Sequence, residues 1–544
     1  MTLGLNDAQL DLRDDLSWFC ESTLSEQSIF SVLARERDRL FPDSMFADLF
    51  SSRGRRSVPP SVVAVVMVLQ RLEGLSDREA VSRFAFDARW RYAAGVGGYD
   101  LSSWTTFAHT VLVDMRARLA SSENPRRIFE AVLSVARQAG VVGAKRVLDS
   151  TPLYDAVATM DTITLIRSAM RSLLRVADAE LASQLREVLS SGDAYESSGK
   201  PQIDWEDAQA REGLIDSRAR DAMACLELLE SRELPAAVSE AASLLAVVVG
   251  QDLEAGEDGS FRIARRVAKG RVISTVDPEA RHGHKSSARG FDGYKGHAAV
   301  DPDSEVITQT AVTPGNAADA SAAEELLREV LESPGTEGQS PSQTEPGDSD
   351  PEHDAAVVYG DTAYGTGELL SRLEQAGVES RCKAGMPSAP AGLFSKSDFE
   401  VDLETQSVTC PQGHTVPLVR GKKDPTGALA RFGAFCAGCP LASRCTRSSH
   451  GRTIRVGPHE AVLQRARAEQ QSPEWAEDYR ATRPKVERKL AHLTRRRHGG
   501  RRARMRGRLK IDADFNLLAA AQNLLRLAVL GIGWNDLEWT VAGA

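Results

Sequence analysis

No apolar run in the 544-residue sequence approaches the length needed to cross a bilayer. The first residues, MTLGLNDAQLDLRDDLSW, also lack the basic-then-apolar layout of a signal peptide. The expectation is a cytoplasmic protein with no membrane partner. Cysteine is scarce as well: there are seven, and four of them, Cys410, Cys436, Cys439 and Cys445, lie close together. That usage argues against a disulfide framework and for a metal clip. Net positive charge is missing too, the formal balance being −9, which at face value disfavours a nucleic-acid partner. The sum hides a segregation that matters more. SPGTEGQSPSQTEPGDSDPEHD (333–354) is acidic, rich in Pro, Gly and Ser, and too poor in apolar residues to fold, so it reads as a disordered linker. YRATRPKVERKLAHLTRRRHGGRRARMRGRLK (479–510) is intensely basic, a composition that suits phosphate contact and equally a solvated face.

A chain this long should divide into three or four units. Residues 1–140 read as helices. In PPSVVAVVMVLQRLEGLSDREAVSRFAF a first helix opens on prolines and stops at Gly74, and Ser76 and Glu79 stand in capping-box spacing for a second. Two helices across a tight turn outline a helix-turn-helix, or an ordinary bundle. Residues 141–156 hold a short apolar strand that delivers Asp149 and should end at Ser-Thr-Pro. A helical insertion follows over 157–265. Strand signals return in 266–380, as GRVISTVD, GYKGHAAVD and EVITQTAV, the last two forming a hairpin across PDS. PGNAADASAAEELLREVLE then reads as a helix capped by Asn316.

VVYGDTAYGTGELL (357–370) is an apolar strand ending in Gly360-Asp361. A strand this apolar is covered on both faces, which places Asp361 in the crevice beyond its carboxyl end, where open α/β sheets put their chemistry. The same aspartate could instead only shape the turn or cap the next helix. Without the insertion, the order of elements is that of an RNase H-like mixed sheet flanked by helices, in which the first strand lies beside the fourth. Asp149 and Asp361 then become neighbours, and two crowded carboxylates call for a cation such as Mg²⁺. A third carboxylate can come from EDYRATRPKVERKLAHL in 471–535, where Tyr479, Arg483 and Glu487 recur every fourth residue and share a helical face. A solvated, salt-bridged helix would show the same pattern.

Between these, 381–470 carries VTCPQGHTV and FCAGCPLASRC. Thiolates at Cys410, Cys436, Cys439 and Cys445 can close a tetrahedral structural Zn²⁺ site in a small zinc-ribbon-like insertion, with His414 able to replace one of them. A reduced, metal-free cluster is the alternative. Cys20, Cys225 and Cys382 read as buried small hydrophobes.

VLDST, YGDTAYG and YRATRPKVER with its basic tail together resemble the DDE-type insertion-sequence transposases of bacteria, in the branch with a helical N-terminal domain and a Tyr-Arg-Glu signature. GRRSVPPSVVAVVMVLQRLEGLSDREA, STVDPEARHGHK, GYKGH, VTPGNAADA and the cysteine cluster extend the likeness over most of the chain. The resemblance implies that Asp149, Asp361 and Glu487 are catalytic and hold two Mg²⁺ ions, with Mn²⁺ as a substitute, roughly 3.5–4 Å apart in such sites. Water would cut the transposon end, and the freed 3′-hydroxyl would attack target DNA. Tyr479 and Arg483 would contact DNA phosphate. Three residues separate this Tyr from the Arg where the family usually has two, and Thr494 stands where a lysine is expected, with Arg495 as its substitute. Further DNA-binding candidates are Lys285, Arg289 and Lys295, while the helix from Ser76 is the candidate reader of transposon ends. A homodimer on double-stranded DNA is the expected assembly. Two other readings are a zinc-containing DNA-binding regulator with an inactive core and an RNase H-like nuclease.

Overall fold

The computed structural model describes residues 16–332 and 356–542, apart from 52, 55, 97–105, 157–158, 198, 200, 202, 258, 287–288, 391 and 422–423. The acidic stretch 333–354 lies outside the described residues. The central sheet is built from β1 (Arg146–Tyr154), β2 (Arg281–Ser286), β3 (Arg289–Val300), β4 (Ile307–Pro314), β5 (Val357–Gly360) and β6 (Glu379–Cys382). The strands run β2-β3-β1-β5-β6, and β4 shares the outer edge of β3 with β2. β1 is antiparallel to β3 and parallel to β5, so the strand bearing Asp149 lies beside the strand that ends at Asp361.

Side-chain alternation gives the sheet two buried faces. Val147, Leu153, Tyr294, Ala298 and Val300 enter one core, and Leu148, Ala299, Ala311 and Val358 enter another. β1 does not stop at Ser-Thr-Pro but runs through Pro152. The missing N–H costs nothing there: β5 pairs with β1 only at Arg146 and Val147, and the flank next to Pro152 has no strand to bond. GRVISTVD forms no strand. The Gln251 side chain instead satisfies both the N–H and the C=O of Val272, at 2.8 and 3.0 Å, and Met160 N donates to Ile273 O.

On the N-terminal side, α1 (Pro60–Glu73) ends at Gly74 in the left-handed conformation, and α2 (Asp77–Phe86) begins with the Ser76/Glu79 capping box. Every residue of α1 from Ser61 to Leu72 is buried, so it is a central helix and not an amphipathic surface one. The insertion packs α3 (Thr162–Val176), α4 (Ala208–Leu229) and α5 (Ala236–Asp252) around a hydrophobic core of its own, including Leu165, Met170, Cys225 and Leu245. α6 (Gly367–Gln375) follows β5, and α7 (Pro473–Leu493) and α8 (Arg508–Val529) come after the cysteine-rich unit.

α1 and α8 share one continuous core with the sheet, so the N-terminal helices are not a separate body. The join is polar as well as apolar. Arg71, buried in α1, donates Nε to Asp514 Oδ2 at 3.0 Å and Nη1 to the His498 carbonyl, while His498 Nδ1 meets the Leu72 carbonyl. Asn523 of α8 bonds both backbone groups of Ile307, which covers the outer edge of β4. Among the described residues no helix is long and apolar enough to cross a membrane.

Candidate active site

Asp149 sits midway along β1, its side chain 16% exposed, with Oδ1 accepting the Ser150 amide at 2.7 Å. Asp361 lies just past the end of β5. One of its oxygens does shape the turn, accepting the Ala363 amide at 2.9 Å, while Thr366 caps α6. The other oxygen faces away, toward α7. Glu487 projects from α7 and is the most exposed of the three. All three converge on one guanidinium. Arg483 Nη2 lies 3.1 Å from Asp149 Oδ1 and 3.9 Å from Asp361 Oδ2, and Nη1 lies 3.6 Å from Glu487 Oε1.

Arg483 is buried, and its Nε and Nη1 make no hydrogen bond among the described residues. Burial works against its charge, but Asp149 and Asp361 outweigh that and raise its pKa. Asp149 behaves oppositely: burial lifts its carboxyl above the ordinary range despite Arg483. A single cation thus balances three carboxylates, leaving the cluster short of positive charge. As the side chains stand, no three His, Cys, Asp or Glu residues among those described form a metal-binding group, neither these carboxylates nor the clustered cysteines; here the Arg483 guanidinium lies among the carboxylates. The donor set fits a hard divalent ion: carboxylate oxygens from three elements, one of them open to solvent. Tyr479, one turn before Arg483, stacks on Trp475 with ring centroids 4.9 Å apart and donates its hydroxyl to Gly360 O at 3.3 Å. It therefore bridges α7 to the mouth of β5.

Lys295, a DNA candidate by sequence, is engaged elsewhere. Its ammonium donates to Asp319 Oδ1 at 2.6 Å and to Ala317 O at 2.8 Å, and Ser150 Oγ donates to Asp319 Oδ2 at 2.7 Å. Beside it, buried His297 lies 2.8 Å from Thr313 Oγ1 and 3.2 Å from the Tyr364 hydroxyl, and burial drops its pKa to about 4. This network braces β1 at the residue following Asp149. Asp319 does not stand out in the sequence; the i, i+2 spacing of Lys295 and His297 in GYKGH, which puts both on one strand face, is the signal that could have found the network. PGNAADASAAEELLREVLE forms three short turns, Asp319–Ala322, Ala323–Leu326 and Arg328–Glu332, and Asn316 caps none of them.

Gly365 fixes the turn that carries Asp361. A β-carbon there would collide with the Lys383 carbonyl oxygen, and backbone cannot yield as a side chain can. Gly365→Ala should therefore cost about 1–3 kcal/mol of stability, read from denaturant midpoints. A neutral result would show that the turn is free to move.

Of the remaining candidates, Lys285 and Arg289 are exposed at the β2–β3 hairpin, and Arg495 is exposed just beyond α7. Arg501 and Arg502, also exposed, belong to the basic loop that pairs with the end of β1: Tyr154 N donates to Arg501 O and Ala503 N to Tyr154 O, both at 2.7 Å. Cys410, Cys436, Cys439 and Cys445 line one small cavity together with His414. Cys410 and Gly413 close a tight turn, with Gly413 N donating to Cys410 O and Cys410 N to His414 O. Cys20, Cys225 and Cys382 are buried.

A mixed sheet that joins two aspartate strands, with a glutamate helix packed against them, is consistent with an RNase H-like DDE domain. The comparisons agree: a transposase DDE domain matches residues 409–528, which include Glu487 and the cysteine cluster, and a transposase domain (DUF772) matches residues 20–118. These two matches, in separate parts of the chain, support a DDE-type insertion-sequence transposase. No curated protein and no solved structure matches it.

Proposed function

We propose that the protein binds the terminal inverted repeats of an insertion sequence, cuts the DNA strand there, and joins the freed 3′-hydroxyl to target DNA. Asp149, Asp361 and Glu487 are the catalytic carboxylates and hold two Mg²⁺ ions, or Mn²⁺ in their place. The supporting observation is that carboxylates from three distant parts of the chain meet at one buried cation. When bound, the metal ions stabilise charge on the attacking and leaving oxygens.

The chain's own groups supply position. Asp149 is held by the Ser150 amide, and Asp361 by the Ala363 amide. Glu487, exposed on its helix, has the freedom to close last. Arg483 carries donors free to move from carboxylate to DNA phosphate, with Tyr479 beside it. Exposed Arg495, Arg501 and Arg502 bind the backbone without reading sequence, and α2 is the candidate reader of the ends. Two ends need two such sites, so the working assembly is a homodimer on DNA. The deciding assay is divalent-metal-dependent cleavage and joining of DNA carrying the element's own termini. No product with either Mg²⁺ or Mn²⁺ would sink the proposal.

The four cysteines hold a structural Zn²⁺. Their convergence on one cavity supports this, and the turn from Cys410 to His414 has the shape of a metal knuckle. Purified protein should contain about one zinc per chain. Because structural zinc contributes about 10–16 kcal/mol to such folds, Cys439→Ser should lose the metal and leave the cysteine-rich unit open to protease. A chelated chain that keeps the unit protease-resistant would show that packing alone holds it.

A further inference from the structure

The segment leaving the helical insertion, FRIARRVAKGR (261–271), has five cations and no acidic residue. Its first three residues, Phe261–Ile263, form a short strand paired with Leu253–Ala255, and the rest is a loop with a built base. Ala264 N donates to Asp252 O at 2.8 Å, and Arg271 grips the buried Asp252 carboxylate through Nε at 2.7 Å and Nη2 at 2.5 Å. Thr162 Oγ1 donates to the same carboxylate at 2.8 Å. Between these fixed ends the loop displays its charge. Arg265 is 81% exposed and only 3.9 Å from Glu254, which already takes Arg262 at 3.1 Å. Arg266 and Lys269 are exposed and have no ion-pair partner among the described residues. Val267, between them, is 83% exposed.

The loop also stands at a defined place. Gly270, in the left-handed region at φ +77°, has the Asn316 side-chain amide 3.8 Å from where its β-carbon would be. In the same turn, Gly283 of β2 lies so close to the Gly315 carbonyl that no β-carbon would fit. Two basic segments therefore both lie against residues 315–316. Three residues further on, Asp319 takes the hydroxyl of Ser150, the neighbour of Asp149. Arg266 and Lys269, like charges on one short loop, repel one another, a cost that a polyanion laid across them offsets.

We infer that Arg265, Arg266 and Lys269, continued by Lys285 and Arg289 of the hairpin, form a DNA-backbone track beside the active site. The helical insertion thereby acquires a role, since it delivers a rigid phosphate-binding loop next to the scissile strand. The inference rests on the reading of the protein as a DNA strand-cutting enzyme, and it names which part of the surface the flanking backbone touches. Since the cations face phosphates and not base edges, their contribution is independent of sequence and falls with salt.

The test uses the full chain, random-sequence duplex DNA, and a chelator to prevent cutting. Replacing all three residues together (Arg265→Ala, Arg266→Ala, Lys269→Ala) should reduce the slope of log affinity against log salt by about two to three and leave the thermal midpoint unchanged. A parallel variant, Arg501→Ala with Arg502→Ala, tests the general DNA reading. If only that second variant weakens binding, the loop is no track and the inference fails while the DNA reading stands. If neither does, or the unaltered chain ignores duplex DNA, both fail. A photo-reactive benzoylphenylalanine in place of Val267 should cross-link to the DNA, and its failure to do so while the protein is DNA-bound would also overturn the assignment.

Discussion

Asp149→Asn, Asp361→Asn and Glu487→Gln should each lower strand cleavage and joining by about a thousandfold or more, with DNA affinity nearly unchanged. Each substitution keeps the shape of the side chain and removes one formal charge. The proposed reaction would need that charge, because its transition state develops negative charge on oxygen that bound cations would neutralise in position. On the proposed reading DNA binding does not need it, since arginines and lysines elsewhere would grip the phosphates.

A competing account is that the carboxylates exist only to bury Arg483 in an ion-pair knot. Arg483→Met separates the two. Under the knot account the three uncompensated carboxylates destabilise the fold whatever is added. Under the metal account Mg²⁺ or Mn²⁺ occupies the freed space and raises the thermal midpoint in a concentration-dependent way. Full activity in any one of the carboxylate variants would remove that residue from the catalytic set.

The second large effect is on stability. Arg71→Met should cost about 3–5 kcal/mol, because it leaves Asp514 and the His498 carbonyl without their buried partner. Both side chains are buried or nearly so, at 6% and 12% exposure. Arg137→Ala makes the contrast. It breaks a 2.6 Å pair with Glu329 in which both side chains are more than 40% exposed, and solvent-screened pairs of that kind contribute about 0–1 kcal/mol. Denaturant titration of the two variants under one condition decides the point. Equal midpoints would mean that Arg71 does not tie α1 to α8.

What is legible in the sequence is mostly local. The Ser76/Glu79 capping box, the Gly74 stop and the apolar strand closing on Asp361 depend on neighbours within a few residues, and each forms as its residues require. The four-residue spacing from Tyr479 to Arg483 to Glu487 places them on one face of α7, since helical geometry alone requires it. Sequence and structure part where a distant group changes a local preference. Val272 has strand propensity, but Gln251 saturates its backbone, and Pro152 stays in β1 because its free flank faces no partner strand. Lys295 looks like any exposed lysine until Asp319 is found opposite it. The unbroken apolar run of α1 cannot by itself say what covers it, since burial on all sides is a property of the assembled core.

That burial has a consequence for synthesis. α1 emerges early, yet its cover includes α8, roughly 430 residues later in the chain, an interval of about twenty seconds to a minute and a half at ribosomal speeds. Throughout that interval a greasy helix waits for the last one to be made, so a growing chain is a client for chaperones and a released fragment lacking α8 is a seed for aggregation.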